Sequence, residues 1–296
     1  MIALKKVGHL ALRVPAPERG ARFYAETLGF AVSGRANGAV FLRCGSDHHC
    51  TIFYPVGHRS PWDAAIPQRP GLHHLAFEVG SREEVEQAAA VLRGRGVPIT
   101  AGPGRCEELG VEDTLRFLDP EGRCVELYWG MEQVREPDPP SAAIRPTRLS
   151  HVTLWSPDWK TSSRFYLDLL GMEVSDWIKD HGVFLRCTPT YHSLALMRGP
   201  ESGVHHCMYE VESYDALMRA VVTLRARGVP IVRGPGRHGP GRALYVYAQD
   251  SEGNTFELGC EEQQIHDEDH WIPRILTPEQ ARVDLWQECV PEALRQ

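Results

Sequence analysis

Hydrophobic and polar positions follow a fixed order along the chain, and that order predicts its secondary structure. Residues 7–14 (VGHLALRV) alternate with a period of two, which is typical of a half-buried strand. Stretches with a period near 3.6 follow such runs and predict amphipathic helices. Ser81 and Glu84 form the pattern of a capping box at the start of one helix, and Gly96 marks its end. Strand, helix and further strands recur in this way four times, so the chain is predicted to contain four βαβββ modules.

The two halves of the chain repeat one another. FLRC occurs at 41–44 and again at 184–187, an offset of 143, and the segment at 72–79 recurs at 204–211, an offset of 132. The offset falls by about ten residues, which predicts an insertion in the first copy, at 55–70. The duplication accounts for a length of 296 residues, which is about twice that of a single domain.

The repeat divides the chain into three predicted parts: an N-terminal domain (1–133), a C-terminal domain (149–260) and a tail (261–296). A proline-rich seam at 132–148 joins the two domains. Within the tail, residues 277–280 (TPEQ) predict a capping box that opens a short helix running to Trp286. We expect the insertion at 55–70, or the tail, to border the mouth of the functional site or a contact between subunits.

Composition and charge exclude several classes of function. The 32 Lys and Arg residues against 39 Asp and Glu give a net charge of −7, and no basic run is longer than a pair, so a nucleic-acid partner is not expected. No apolar run approaches the roughly 18 residues that span a bilayer, and the N-terminus lacks a signal-peptide pattern, so a membrane partner is not expected. Eight cysteines without a C-x-x-C spacing favour a reduced, cytoplasmic protein.

Three predicted strands of the second copy each carry one strong metal ligand: His151, His206 and Glu257. Two imidazoles and one carboxylate, with the remaining positions open, form the ligand set of non-haem Fe(II) sites that activate oxygen. With a divalent cation this set has a charge of +1, which suits an anionic, bidentate oxygen ligand such as a catecholate. Taken singly, each residue is as often a polar group satisfied at the edge of a sheet. Of the neighbours His205 and His206, alternation along the strand allows only one to face a metal.

The stretch GRHGPGRALYVYAQDSEGNTFEL at 236–258 resembles the ring-cleavage signature of the two-domain type I extradiol dioxygenases of the vicinal oxygen chelate superfamily. In that signature a His is followed by an apolar residue and Tyr, an acidic residue, Gly and the metal-binding Glu. The matching residues are His238, Val246, Tyr247, Asp250, Gly253 and Glu257. Ser251 stands at a turn position where the family usually has Pro. The resemblance covers both copies, from residue 1 to about 260.

The resemblance implies an α+β fold of tandem vicinal oxygen chelate (glyoxalase/bleomycin-resistance-like) domains. The implied metal ligands are His151, His206 and Glu257. The implied catalytic residues are His192, His238 and Tyr247. The family's His four residues before Glu-Val corresponds to His206 rather than His205. These roles are chemically sound, because a His can both accept and return a proton near neutral pH, and a second His and a Tyr hydroxyl can donate to developing oxyanions.

The function implied by the resemblance is extradiol cleavage of a catecholic ring by O2 at an Fe(II) centre, with Mn(II) as the alternative metal. The product is a ring-opened semialdehyde acid. The implied partner is a small aromatic diol, and the chain is expected to form a homo-oligomer. Two alternatives share the fold: a metal-dependent isomerase or lyase of the glyoxalase-like class, and a non-enzymatic protein that sequesters a ligand. Neither alternative needs the catalytic set of the second copy.

The first copy serves as an internal comparison. It retains three potential ligands at the positions of the second-copy triad, namely His9, His74 and Glu126, and His49 stands opposite His192. Cys106 and Arg116, however, occupy the positions of His238 and Tyr247. We therefore predict that the chemistry takes place only in the second copy, and that the first is a scaffold with a vestigial metal site. In most relatives the first-domain triad is degraded, so its retention is a departure from the family.

Overall fold

The computed structural model describes residues 2–63, 66–134 and 143–289. The first copy contains eight strands: β1 (Lys6–Val14), β2 (Ala31–Ala36), β3 (Ala39–Arg43), β4 (Thr51–Pro55), β5 (Gly71–Glu78), β6 (Ile99–Cys106), β7 (Val111–Leu118) and β8 (Cys124–Met131). Its helices are α1 (Pro17–Leu28) and α2 (Arg82–Gly94), and short 3-10 turns lie at Pro61–Asp63 and Glu107–Leu109.

The second copy repeats this order. Its strands are β9 (Pro146–Trp155), β10 (Glu173–Ile178), β11 (Gly182–Arg186), β12 (Leu194–Met197), β13 (Gly203–Val211), β14 (Ile231–Arg237), β15 (Leu244–Gln249) and β16 (Thr255–Cys260). Its helices are α3 (Trp159–Asp168) and α4 (Tyr214–Ala226). The α+β class and the four βαβββ modules are thus confirmed. The seam predicted at 132–148 lies partly outside the described residues, and β9 already begins at Pro146.

Each copy forms one sheet in which its two modules meet along an antiparallel pair of strands. The first sheet has the order β2-β3-β4-β1-β5-β8-β7-β6, and its central pair is β1 with β5. The second sheet runs β14-β15-β16-β13-β9-β12-β11-β10, with β9 and β13 at its centre. Parallel strands flank each central pair, so β16, β13 and β9 lie side by side. Side chains from these three strands can therefore converge on one face.

The helices bury their apolar faces in a core cluster that includes residues of both copies. In α2 the buried residues include Val85, Ala89 and Leu92, at the spacing of a single helix face. The Oγ of Ser81 accepts a hydrogen bond from the backbone of Glu84, as predicted. The Glu84 carboxylate accepts from the backbone N–H of residue 80 rather than from that of Ser81, so the predicted capping box closes one residue earlier.

The tail adds β17 (Arg274–Leu276) to the second sheet, parallel to β10, followed by α5 (Pro278–Ala281) and a 3-10 turn at Gln287–Cys289. The capping box between Thr277 and Gln280 is confirmed. The prediction that its helix runs to Trp286 is wrong, because the Asp284 carboxylate accepts hydrogen bonds from Tyr245 Oη at 2.6 Å and from the backbone of Arg237 at 3.2 Å. These bonds hold the chain against β14 and β15 and end the helix early. Among the described residues, no helix is long and apolar enough to cross a membrane.

Candidate metal centre

Three adjacent strands bring the predicted ligands of the second copy together. His151 lies on β9, His206 on β13 and Glu257 on β16. The Nε2 atoms of the two histidines are 3.2 Å apart. Glu257 Oε2 lies 3.4 Å from Nε2 of His151 and 3.3 Å from Nε2 of His206. All three residues are buried, with exposed fractions of 2%, 6% and 1%, so the sheet itself fixes their arrangement.

The protonation states that burial favours suit a divalent cation. Burial lowers the pKa of His151 to about 4 and also lowers the pKa of His206, so both imidazoles are neutral at pH 7. Burial opposes ionisation of Glu257, but contacts with the histidines hold its pKa well below the usual value. Its Oε2 has no hydrogen-bond partner in the described part of the chain. Neutral nitrogens and an unpartnered carboxylate oxygen are the ligands that a divalent first-row metal needs, so these residues fit such an ion.

His205 and His206 differ in their surroundings. His206 has its Nε2 within the triad, whereas the ring of His205 packs on Trp155 with a centroid separation of 4.4 Å. The Nδ1 atoms of the two histidines are 2.6 Å apart. A contact between the imidazole nitrogens thus links His205 to the ring of the candidate ligand.

His238 and Tyr247 lie next to the carboxylate of the triad. His238 Nε2 is 3.1 Å from Tyr247 Oη and 3.3 Å from Glu257 Oε1. Tyr247 and Glu257 are cross-strand neighbours on β15 and β16. Burial and the nearby Glu257 raise the pKa of Tyr247 well above its usual value, so the phenol keeps its proton. The ring of His238 stacks on Tyr245 at 3.9 Å, which fixes its orientation. The pair therefore offers two potential donors beside the candidate metal position.

His192 contacts the triad through His151. Its ring lies over that of His151, with centroids 3.7 Å apart. Its Nδ1 is 2.7 Å from Oε1 of Glu262, a side chain that is only 5% exposed. Although burial opposes its ionisation, contact with His192 lowers the pKa of Glu262. The sequence analysis missed Glu262. The signal that could have found it is a difference between the two copies, because at an offset of 131 the first copy has Met131 at the position of this carboxylate.

These side chains line one cavity of about 430 Å³, which is within the usual range for a small-molecule site. Its apolar wall includes Trp155, Phe184 and Met197 from the second copy. The tail completes the wall with residues of 278–282. Of the two segments expected to border a functional site, the tail therefore does so, and the described residues of the insertion at 55–70 are not part of this wall.

The first copy brings its three potential ligands together in nearly the same way. The Nε2 atoms of His9 and His74 are 2.9 Å apart, and Glu126 Oε2 lies 3.4 Å from the latter. Here, however, Nε of Arg116 donates to Glu126 Oε2 at 2.7 Å. Although burial disfavours a charged guanidinium, the carboxylate raises the pKa of Arg116, which stays a cation. A positive charge is thus built into this triad.

The insertion supplies a second carboxylate to the same guanidinium. Asp63 lies in the 3-10 turn of the insertion, and its Oδ1 accepts from Arg116 Nη1 at 3.2 Å. His58 Nδ1 and His73 Nε2 lie 2.8 Å and 3.2 Å from its two oxygens. Burial opposes the ionisation of Asp63, but these contacts keep its pKa below the usual range. The insertion therefore covers the first-copy triad with a buried network of opposite charges, which the sequence analysis did not predict.

Comparisons with known proteins identify the family of the chain. The family model "Glyoxalase/Bleomycin resistance protein/Dioxygenase superfamily" matches residues 6–127 and 148–258. The chain is 28% identical over 293 residues to a manganese-dependent 2,3-dihydroxybiphenyl 1,2-dioxygenase of Geobacillus genomosp. 3, covering 91% of this chain and 89% of the relative. It is 28% identical over 245 residues to an iron-dependent extradiol dioxygenase of Rhodococcus jostii, covering 73% and 79%.

Solved structures share the fold over nearly the whole chain. The Mn(II)-bound glyoxalase from Novosphingobium aromaticivorans aligns with a TM-score of 0.85 at 24% identity, covering 97% of this chain and 91% of that one. The 2,3-dioxygenase LapB from Pseudomonas sp. KL28 aligns with a TM-score of 0.80 at 26% identity, covering 94% and 99%. Since the family model matches both copies, the chain belongs to the Glyoxalase/Bleomycin resistance protein/Dioxygenase superfamily.

Proposed function

We propose that the chain is an extradiol dioxygenase, which opens a catecholic ring beside its two hydroxyl groups and incorporates both atoms of O2. The product would be a semialdehyde acid. The observation that carries the proposal is the presence of two sets of side chains in one cavity. The triad of His151, His206 and Glu257 offers a metal position, and a second set surrounds it: His192, His238 and Tyr247. The named extradiol dioxygenases among the relatives support the same reaction.

The metal would be Fe(II), with Mn(II) as the alternative, held by His151, His206 and Glu257. Bound by these three residues, such a metal would supply the Lewis-acid and redox chemistry that lets a catecholic ring react with O2. Relatives named as manganese-dependent and as iron-dependent both align with this chain. The ligand types alone do not separate the two metals.

The protein side chains would manage the protons. His192, at the cavity wall, accepts a proton from a catechol hydroxyl and returns it as the O–O bond breaks, since an imidazole can do both near neutral pH. His238 Nε2 and Tyr247 Oη donate toward oxygen atoms on which negative charge develops. The apolar wall around Trp155 and Phe184 limits the access of water, which strengthens these donors.

A cytoplasmic location and a homo-oligomeric state belong to the same proposal. None of the eight cysteines, all of which lie in the described part of the chain, forms a disulfide, which supports a reducing compartment. We assign the first copy the role of a scaffold, supported by the guanidinium of Arg116 within its triad.

Oxygen uptake tests the proposal. Full-length protein is prepared anaerobically, loaded with Fe(II) or with Mn(II), and given monocyclic and bicyclic catechols in an oxygen electrode. We expect consumption of one O2 per ring and a yellow product with one of the two metals. If neither metal supports oxygen uptake with any catechol, the dioxygenase proposal is wrong. Turnover of a hemithioacetal without O2 would instead favour the glyoxalase-like isomerase, and binding without turnover a sequestering protein.

A further inference from the structure

The contact between His192 and Glu262 favours one position of the proton on the imidazole ring. Nδ1 of His192 and Oε1 of Glu262 lie 2.7 Å apart without the alignment of a hydrogen bond, and neither atom has a hydrogen-bond partner in the described part of the chain. Two lone pairs that face one another at this distance repel, so the contact favours the tautomer with its proton on Nδ1. This tautomer leaves Nε2 at the opposite edge of the ring as a free base. The ring of His151 lies against that of His192 at a tilt of 31°, with centroids 3.7 Å apart, and restricts its orientation.

Backbone hydrogen bonds hold the segments that carry His192 and Glu262 next to one another. The N–H of Tyr191, directly before His192, donates to the carbonyl of Gln263, directly after Glu262, at 2.9 Å. The N–H of Ile265 donates to the carbonyl of Pro189 at 2.6 Å. The segment that follows β16 is therefore tied to the loop that precedes β12. Glu262 is also held by Ser150, whose Oγ donates to its second oxygen at 3.4 Å.

The first copy contains the same backbone arrangement with a different side chain. His48 N–H donates to the carbonyl of Glu132 at 2.9 Å, at the positions equivalent to Tyr191 and Gln263. Met131 stands at the position of Glu262, and His49, the counterpart of His192, has its Nδ1 3.0 Å from Nδ1 of His48. The carboxylate thus accompanies the histidine only in the copy to which we assign the chemistry.

We propose that Glu262 is a positioning residue, which holds His192 with its proton on Nδ1 and presents Nε2 to the cavity as the base. The expected change in kcat rests on the proposed dioxygenase function, whereas the expected tautomer of His192 does not depend on it. In this role Glu262 acts on the substrate only through His192. A carboxylate that fixes the tautomer and orientation of a catalytic imidazole acts in the same way in hydrolases.

Three substitutions test the role. Glu262→Met introduces the residue of the first copy, which the same backbone accommodates there. Glu262→Asp keeps a carboxylate. Glu261→Gln is the matched control, because Glu261 is an exposed neighbour that pairs with Arg237 rather than with a histidine. Each full-length variant is compared in its metal content, in kcat and KM for the best catechol, and in the tautomer of His192 from ¹⁵N shifts of the metal-free chain. The resonances are assigned by their loss in His192→Asn.

We expect the Nδ1–H tautomer in the native chain and in the Glu261→Gln control. In Glu262→Met we expect the Nε2–H tautomer, kcat lower by about 10- to 100-fold, and KM and metal content nearly unchanged. Glu262→Asp should recover part of kcat. The inference is overturned if the tautomer stays the same in Glu262→Met, whether or not kcat falls. It is also overturned if that variant loses its metal, since Glu262 would then be a ligand.

The inference and the proposed function fail separately. If the native chain consumes no O2 with any catechol, the dioxygenase proposal fails, while the tautomer measurement still decides the role of Glu262. If the native chain is active and Glu262→Met retains both its kcat and the Nδ1–H tautomer, only the inference about Glu262 fails.

Discussion

Arg116 and Glu126 are cross-strand neighbours on β7 and β8, and the guanidinium Nε lies 2.7 Å from the carboxylate Oε2. Tyr247 and Glu257 occupy the same two positions in the second copy. In the first copy the carboxylate is therefore neutralised by a guanidinium. In the second copy its neighbour is a neutral phenol, so its negative charge remains available to a metal. Because adding a divalent cation beside a buried guanidinium is unfavourable, only the second triad is expected to bind a metal.

We predict one divalent metal per chain, bound by the second copy. Glu257→Ala should lose the metal and oxygen uptake together. Glu126→Ala should keep one metal per chain but unfold more easily, by about 3 kcal/mol or more, since it leaves Arg116 buried without this partner. Metal analysis and urea unfolding of the two variants measure both effects. Two metals in the native chain would contradict the prediction of a single site. Turnover that survives Glu257→Ala and disappears in Glu126→Ala would assign the chemistry to the first copy instead.

Removal of the guanidinium should open the first-copy triad to a metal. Arg116→Tyr places the second-copy residue at that position and leaves Glu126 and Asp63 without their shared cation. We expect the metal content to rise from one toward two per chain under saturating Mn(II), because a divalent ion would offset the two carboxylates. Arg123→Tyr is the control, since that buried arginine pairs with Asp119 away from either triad. An unchanged stoichiometry in Arg116→Tyr would mean that charge is not what closes the first site.

The stability of the metal-free chain should fall as the pH decreases from 6.5 to 4. Burial lowers the pKa of both His151 and His73 to about 4, against about 6.5 in an unfolded chain. Between these two pKa values the unfolded state binds more protons than the folded state. The contribution of the two histidines to the free energy of unfolding is therefore fully present above pH 6.5 and is lost as the pH falls toward 4. Each group contributes up to about 3 kcal/mol. Urea unfolding in the presence of a chelator at pH 7, 6 and 5 should reveal the decline, and a constant midpoint would contradict it.

Tyr247→Phe should separate catalysis from metal binding. The substitution removes a phenol that lies 3.1 Å from His238 Nε2 but leaves the triad intact. We expect unchanged metal content and a kcat lower by about 100-fold, the usual cost of one lost donor to a developing oxyanion. Tyr54→Phe, at a buried tyrosine of the first copy, is the matched control and should keep its kcat. Loss of metal in Tyr247→Phe would assign the phenol a structural role instead.

The sequence predicted the modules from local patterns, and the triad from these patterns together with the resemblance of residues 236–258 to the ring-cleavage signature. Alternation allows one ligand on each of three strands, but only the resemblance selects His206 rather than His205. The contact of Glu262 with His192 does not follow from any local pattern, since it depends on hydrogen bonds between two segments about 70 residues apart. The network around Asp63 likewise depends on how an insertion folds over the first sheet. The end of α5 depends on Tyr245, a residue of a distant strand.

The tail should control substrate affinity more than turnover. The side-chain and backbone bonds between Thr277 and Gln280 open α5, and Pro278 and Ala281 of this helix form part of the cavity wall. Thr277→Ala weakens such a cap by about 1 kcal/mol. We therefore expect KM for catechol to rise severalfold, with kcat and metal content nearly unchanged, and faster proteolysis in the tail that catechol slows. Ser213→Ala removes the equivalent cap of α4, outside the cavity wall, and should leave KM unaltered. Equal KM values in both variants, with cleavage indifferent to catechol, would exclude the tail from substrate binding.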